Sequence, residues 1–396
     1  MKSNYSIIPK LIIHHPWKAW KLTQTFFRIF KGAFFQYNRK DYKSKYIPLV
    51  TLKLTPRCNL TCVMCGQRGV KGKLKGKFAI DEEKKILPAE KYIELAKELH
   101  GRTGVFYLWG GEPLTYPGFM DMVPEILKHI PLIAVNTNGT KLAENAERIV
   151  RDQWTSIFVS LDSFEDINDK IRGKGSFKKV IAGLEALKRE KERQNSMLPH
   201  ISVVTVVNNM NYLYLDKLAE SLADKGLSWH YINLGTYMND EIGKEHVKFM
   251  KDRLDIDAIY WDGFNTGFNE GIDGEKFQEI LSRVHKIDNG YPIVTVPLIR
   301  PSKIGTFYSD LLTIVRNKCG NPWFSVNVHY DGNVGFCADY PEYSLGNIKD
   351  KPMLELYNND RAVKFRKELR NSPDGLFPAC KRCYQNMLLG RRVKGF

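Results

Sequence analysis

The 396 residues hold no apolar run long enough to cross a bilayer. The longest, around Ile47–Leu54, falls far short of the roughly 18 residues required. No apolar segment precedes a small-residue cleavage site, so export is not expected and the compartment read from the sequence is the cytoplasm. Acidic residues are scarce: 44 Asp and Glu face 60 Lys and Arg, for a net charge of +16. The deficit is local. Residues 1–50 carry ten basic side chains and a single acid, Asp41, or +9. The remainder is mildly basic, which speaks against a nucleic-acid face spread over the molecule and for a local anionic partner of the N-terminal arm. Seven cysteines are an odd number in a large chain, and a disulfide framework explains them poorly. The histidines, His14-His15 included, show no ligand spacing, and there is neither an internal repeat nor a low-complexity stretch. With 43% hydrophobic and 26% charged residues the chain is an ordinary globular one, with length for two or three domains.

From Ile47 short apolar runs alternate with amphipathic stretches. The runs are Ile47–Leu54, Gly104–Trp109, Leu132–Asn136, Ser156–Leu161, Ile201–Val207 and Trp229–Leu234; helical patterns fall near 89–100, 118–130, 141–152, 176–193 and 211–225. This alternation predicts an α/β fold with a parallel sheet, and six strands suit an open, partial (β/α)6 barrel. Functional loops should then follow the C-terminal ends of the strands. Four segments result: a basic, aromatic arm (1–46), the partial barrel (47–235), a connecting region of obscure pattern (236–318) and a small α+β unit (319–396). In the last, alternating residues flank Asp331-Gly332, a strong hairpin signal, and a helical pattern follows near 352–370.

The first strand runs into Thr55-Pro-Arg-Cys58-Asn-Leu-Thr-Cys62-Val-Met-Cys65-Gly. Three thiols on one polar loop can complete neither a four-Cys cluster nor a closed zinc site. They leave an open position, as a catalytic metal centre requires. This C-x3-C-x2-C pattern resembles the signature of the radical S-adenosylmethionine (SAM) superfamily. The resemblance implies that Cys58, Cys62 and Cys65 hold a [4Fe-4S] cluster whose fourth iron is chelated by SAM. It further implies that one electron, from a low-potential donor such as flavodoxin or ferredoxin, cleaves SAM to a 5′-deoxyadenosyl radical that abstracts hydrogen from substrate. Further matches follow in order at strand ends. Gly110-Gly111-Glu112-Pro113 resembles the family motif that meets the SAM ammonium group. Asn136-Thr137-Asn138-Gly139 resembles the next family turn, and reads equally as a plain strand-to-helix turn. Ser160-Leu161-Asp162-Ser163 stands where ribose or carboxylate contacts are placed, and Arg172 where relatives put a basic ligand of the SAM carboxylate. Asn208 and Asn209, after the strand ending at Val207, are weaker candidates, Asn209 being the one assigned to the site. The resemblance covers about residues 47–235.

Four cysteines remain, Cys319, Cys337, Cys380 and Cys383, at C-x17-C and C-x2-C spacing. Four thiolates can form a structural zinc site or a fully ligated [4Fe-4S] cluster. The contexts Cys319-Gly-Asn-Pro-Trp and Asp331-Gly-Asn-Val-Gly-Phe-Cys337 resemble the SPASM/Twitch domains that follow radical SAM barrels, which implies an auxiliary cluster. Full SPASM domains use seven cysteines, so this form is reduced to one cluster. Three plus four uses every thiol, which disfavours a cysteine hydrogen-atom donor and suits an oxidation.

The arm remains. Trp20, Phe27, Phe30 and Phe34 lie close to one helical face with Lys18, Lys21, Arg28 and Lys31 between them. Residues 10–37 read either as a peripheral membrane-surface helix at the inner face of the membrane or as a helix packed on the barrel. The run Lys71-Gly-Lys-Leu-Lys-Gly-Lys77 reads as a steering patch for an anionic substrate, a lid, or a solvated loop. For the substrate, the leading expectation is oxidation or related modification of a sugar, cyclitol or lipid-linked polar metabolite. The alternative is modification of a peptide or protein side chain, against which stands the lack of room before residue 47 for a leader-binding domain. Nucleic acid is the least favoured partner.

Overall fold

The computed structural model describes residues 16–384 and 390–393; His14-His15 and the first residues of the arm lie outside them. Helix α1 (Pro16–Phe30) runs into a π-helical turn, Lys31–Phe35. Then come β1 (Leu49–Lys53), α2 (Gly76–Glu83), α3 (Ala89–Glu98), β2 (Val105–Trp109), α4 (Phe119–Leu127), β3 (Leu132–Thr137), α5 (Leu142–Arg151) and β4 (Ser156–Ser160). Next are α6 (Glu165–Arg172), α7 (Ser176–Arg193), β5 (His200–Val206), α8 (Leu215–Ser221) and β6 (Trp229–Asn233). The region read as a connector is ordered: α9 (Asp240–Leu254), α10 (Gly274–Val284), β7 (Ile293–Val296) and α11 (Ile304–Ser309). The last part holds β8 (Arg316–Asn317), β9 (Ser325–Val328), β10 (Asn333–Gly335), β11 (Gly346–Asn347), α12 (Met353–Leu356), α13 (Asp360–Asn371) and β12 (Arg391–Arg392).

One open sheet of ten strands, ordered β11-β10-β9-β1-β2-β3-β4-β5-β6-β7, runs through the molecule. Strands β1 to β7 are all parallel. The six expected strands are present, and the connector adds β7 beyond β6. At the other side β9 pairs parallel with β1, Leu49 opposite Ser325 and Leu52 opposite Val328. The hairpin at Asp331-Gly332 then turns β10 back antiparallel on β9.

Side-chain alternation gives the sheet two faces. Val50, Leu52, Phe106, Leu108, Val135, Ile157, Val159, Ile201 and Val203 join Leu95, Ile126, Ile149 and Leu187 of the helices in the main core. A second core, with Ile232, Phe277 and Phe307, closes the β6–β7 side. The opposite face carries the alternate residues: Thr51, Lys53, Tyr107, Trp109, Asn136, Phe158, Ser160, Tyr231 and Asn233. Tyr107, Phe158 and Tyr231 form a row of rings along it, at centroid separations of 6.1 and 5.7 Å. Polar groups are tolerated there because that side of the sheet lines the site rather than the helix layer.

Candidate active site

The cysteine loop leaves β1 at its C-terminal end and is tied down on three sides. Gly111 and Glu112 donate their backbone N–H groups to Thr55 O and Arg57 O, both at 2.7 Å. Val63 N donates to Ile171 O at 2.9 Å, anchoring the loop to the end of α6. Asn138 Nδ2 reaches Cys58 Sγ at 3.8 Å and Asn59 Oδ1 at 2.8 Å. The double glycine serves this packing: a Cβ at Gly111 would lie 1.8 Å from Arg57 O, and Gly110 holds φ +152° against Thr55. The glycines thus admit the backbone of the cysteine loop itself.

Glu112 is fully buried. Its carboxylate accepts from Thr137 Oγ1 and Asn138 N, both at 2.7 Å, and from Leu114 N at 3.1 Å. Three of about four acceptor positions are therefore taken within the chain, although burial raises its pKa. Glu112 braces the end of β2 to the end of β3, and Pro113 follows it, buried at the start of a short turn. Asp162 is likewise buried: Oδ1 accepts from Val206 N at 2.9 Å. Its Oδ2 lies 2.7 Å from Arg172 Nε as an ion pair, though off the hydrogen-bonding direction. Arg172 therefore has an internal counter-ion, and its carbonyl lies 3.9 Å from Cys62 Sγ. Ser160 sits on the inner face at the end of β4. Asn209 is exposed, Nδ2 donating to Glu270 O at 3.0 Å and N to Phe268 O at 2.8 Å. Its neighbour Asn208 is the buried one, with Nδ2 3.5 Å from Met64 Sδ in the cysteine loop. The turn Asn208–Asn211 fixes this choice, since Asn208 N donates to Asn211 Oδ1 at 2.8 Å.

None of the seven cysteines forms a disulfide. Burial pushes the Cys62 thiol up to about 12 and Cys319 to about 11, and raises Cys58, Cys337 and Cys380 as well. Within each set the thiols feel one another's charge: Cys62 that of Cys65 and Cys58, Cys337 that of Cys383 and Cys380, Cys380 that of Cys319 and Cys383. Two all-sulfur loci result, in which only a cationic core would keep several thiolates together. That donor chemistry fits iron–sulfur clusters. Among the described residues, no group of three or more His, Cys, Asp or Glu side chains is disposed to hold a single metal ion.

Between the two loci lies a cavity of about 240 Å³. Its walls come from β1 (Lys53), the cysteine loop (Gly66, Gln67, Leu74), α2 (Glu82, Lys85), the connector (Tyr260, Phe264), the hairpin (His329, Tyr330) and the segment after Cys337 (Asp339, Glu342). Lys53 is buried, which lowers its pKa, and its Nζ stands 5.4 Å from the Trp109 ring centroid and 5.7 Å from that of Tyr330. Burial raises the Asp339 carboxyl to about 6. It also raises Glu342, which accepts from Ile259 N and Tyr260 N at 2.8 and 2.9 Å. Glu82 accepts from Tyr330 Oη at 2.7 Å and from Lys85 at 2.6 Å. The Lys71–Lys77 run is pinned beside it: Lys73 and Lys71 approach Asp262 at 3.5 and 3.9 Å, and Leu74 is buried in the wall. Sequence reasoning missed these cavity residues. Lys53 did carry a signal, a lone cation closing an apolar strand five residues ahead of Cys58.

The comparisons with known proteins agree with this geometry. The profile of the radical SAM superfamily matches residues 52–222, and that of the SPASM iron–sulfur cluster-binding domain matches residues 319–384. The chain is 25% identical over 357 residues to the tungsten-containing aldehyde ferredoxin oxidoreductase cofactor-modifying protein of Pyrococcus furiosus, covering 84% of this chain and 86% of that one. It is 23% identical over 348 residues to the cysteine-type anaerobic sulfatase-maturating enzyme of Clostridium novyi, covering 81% and 82%. In fold it resembles Streptococcus suis SuiB bound to precursor peptide SuiA, at TM-score 0.58 and 12% identity over 95% of this chain and 80% of that one. With the SPASM match, the zinc alternative for the second cysteine set gives way to an iron–sulfur cluster. The chain carries a radical SAM domain followed by a C-terminal SPASM domain, and takes SAM and two [4Fe-4S] clusters as cofactors.

Proposed function

We propose that the protein is a maturase that modifies a polar side chain of a peptide or protein, the reading that stood second in the sequence. The observation that carries it is the polar cavity between the two cysteine loci, whose walls hold carboxylates and a buried lysine able to grip one polar group. Two relatives similar over most of this chain are, by name, a modifier of sulfatases and a modifier of a protein's cofactor, which supports the same direction. When bound, the first cluster and SAM supply hydrogen-atom abstraction, fed by a low-potential donor such as flavodoxin or ferredoxin.

The chain's own residues do the positioning. Four carboxylates (Glu82, Asp331, Asp339, Glu342) against two lysines (Lys53, Lys85) line the cavity and favour a hydrogen-bond donor over an anion. Lys53 presents the opposing donor from the end of β1, so a hydroxyl, thiol or amide is oriented from two sides. The test is anaerobic incubation of the fully reconstituted chain with serine-, cysteine- and asparagine-containing peptides, and separately with sugars and cyclitols. A peptide should raise 5′-deoxyadenosine formation and change mass. Lys53→Met should lower that stimulated rate by about 10–100-fold and leave the substrate-free rate unchanged. Stimulation by cyclitols or sugars with none by peptides would overturn the reading.

A further inference from the structure

The second feature that needs an explanation is α1. Residues 16–38 contain four cations, Lys18, Lys21, Arg28 and Lys31, and no carboxylate. Trp17, Trp20, Phe26, Phe27, Phe30 and Phe35 are each 50–64% exposed. Six half-exposed aromatics present on the order of 600 Å² of apolar surface, at or above the largest patch of an ordinary monomer.

This is not an unpacked helix, because its other face is already docked. Thr25 is buried, and a Cβ at Gly104 would lie 1.8 Å from Thr25 Oγ1. Lys18 Nζ donates to Gln153 O at 3.2 Å, and Arg28 to Arg102 O at 3.1 Å. Gly32 lies against the Trp323–Phe324 backbone. Beyond it, Arg370 of α13 donates to Tyr37 O and Arg39 O at 2.8 and 2.7 Å. The helix is thus held rigidly, with the aromatic side turned outward. The π-helical turn extends that side: an i to i+5 step lets both Phe34 and Phe35 reach Phe30, at centroid separations of 4.6 and 6.1 Å. Lys21 and Lys31 lie over the Trp17 and Phe27 rings at 5.2 and 4.4 Å, so cations rim the apolar surface.

We propose that α1 is a bilayer-surface helix, its aromatic face seated among the headgroups of an anionic membrane with Lys21 and Lys31 meeting lipid phosphates. Charge selects this occupant. A second copy of the same face would set cations against cations with no acid in the segment to pair them. Among the described residues no helix is long and apolar enough to cross a membrane, so α1 lies along the surface for about 22 Å. Its contacts at Gly104, Gln153 and Phe324 all precede strands (β2, β4 and β9), whereas the cysteine loop follows β1. The catalytic mouth therefore faces away from the bilayer, across at least one five-residue strand, or about 17 Å. A lipid-linked substrate held in that membrane is out of reach, and the helix serves to place the enzyme.

The test is co-sedimentation of the full chain with vesicles of equal parts phosphatidylcholine and phosphatidylglycerol, and with phosphatidylcholine alone. Binding should be at least about tenfold stronger to the anionic vesicles. It should fall as the Debye length shortens from about 10 Å in 0.1 M salt to about 3 Å in 1 M. Trp20→Ser/Phe27→Ser/Phe30→Ser should abolish it. Lys21→Glu/Lys31→Glu should weaken it at least about tenfold; substrate-free SAM cleavage should persist in both. The double variant tests the proposal even where the triple variant is unstable. No binding to anionic vesicles at low salt overturns it. Binding unchanged in both variants does so too, as does a lipid-free dimer that the triple variant dissolves, since a second copy would then cover the face.

Discussion

The first cysteine set occupies one continuous loop, Cys58 to Cys65, while the second is gathered from three separated segments between Cys319 and Cys383. The first loop is held by hydrogen bonds to the ends of β2, β3 and α6 that need no cluster. In the second, Cys319 precedes β9, Cys337 follows β10, and Cys380 and Cys383 lie about a short turn at Pro378–Arg382. Hydrogen bonds join these segments too, Cys319 N to Gly375 O and Asn321 Nδ2 to Phe336 O, both at 3.2 Å, but a cluster there would add a cross-link between pieces far apart in the chain. The contrast teaches that two similar ligand sets can carry different duties, one chemical and one also architectural.

The largest effect falls on the first set. Cys58→Ala/Cys62→Ala/Cys65→Ala should reduce SAM cleavage to background and iron from about eight to about four atoms per chain, with little change in Tm. An iron-free triple variant would erase the distinction between the sets. Next, Cys380→Ala/Cys383→Ala should also leave about four irons. Losing the cross-link should lower Tm by roughly 4 °C, taking about 3 kcal/mol for the lost staple, while substrate-free SAM cleavage survives. Equal Tm values for the two variants would break the comparison. Third, Glu112→Ala should cost about 3 kcal/mol in urea unfolding without SAM, because buried donors at Thr137, Asn138 and Leu114 lose their acceptor. SAM affinity should fall as well; a loss of affinity with unchanged stability would make Glu112 a ligand and not a brace.

The smallest effect sharpens the contrast by lying at neither set. His230 is buried in β6, and Thr205 Oγ1 donates to Leu161 O at 2.6 Å. The same hydroxyl oxygen therefore accepts from His230 Nε2 at 2.9 Å, and Nδ1 has no partner. Burial lowers the His230 pKa to about 4. The unfolded chain binds this proton near pH 6.5 and the folded one does not, so stability falls as pH drops through 6.5 toward 4. Between pH 7.5 and 5.5 the share of the loss due to His230 should be about 1.3 kcal/mol in urea titrations, with His246 and His329 adding their own. His230→Gln should remove that increment.

Legibility in the sequence followed the range of the interactions. Cys58, Cys62 and Cys65 are local, and so are the strand ends at Gly110, Asn138 and Asp162; all stand where the sequence put them. Which of Asn208 and Asn209 is buried was not legible, because the two differ only in a turn closed by Asn211. The cavity failed because its walls meet through the β1–β9 pairing, with 275 residues between Leu49 and its partner Ser325. The connector was harder than it needed to be: Asn239 and Asp273 cap α9 and α10 with side-chain hydrogen bonds, and both helix starts were there to read. Its strand β7 is only four residues long, too brief for periodicity to mark.

The same β1–β9 pairing limits how this molecule can be divided. Strand β1 has a neighbour on each side, β2 and β9, and the second comes from the other end of the chain. A protein ending near residue 318 would have β1 as a bare edge, its backbone donors and acceptors open to any passing strand. That edge would adjoin the cysteine loop itself. Truncation should therefore yield aggregation rather than a minimal barrel, and grafting a foreign C-terminal domain would succeed only if it supplied a strand in the register of Ser325–Val328.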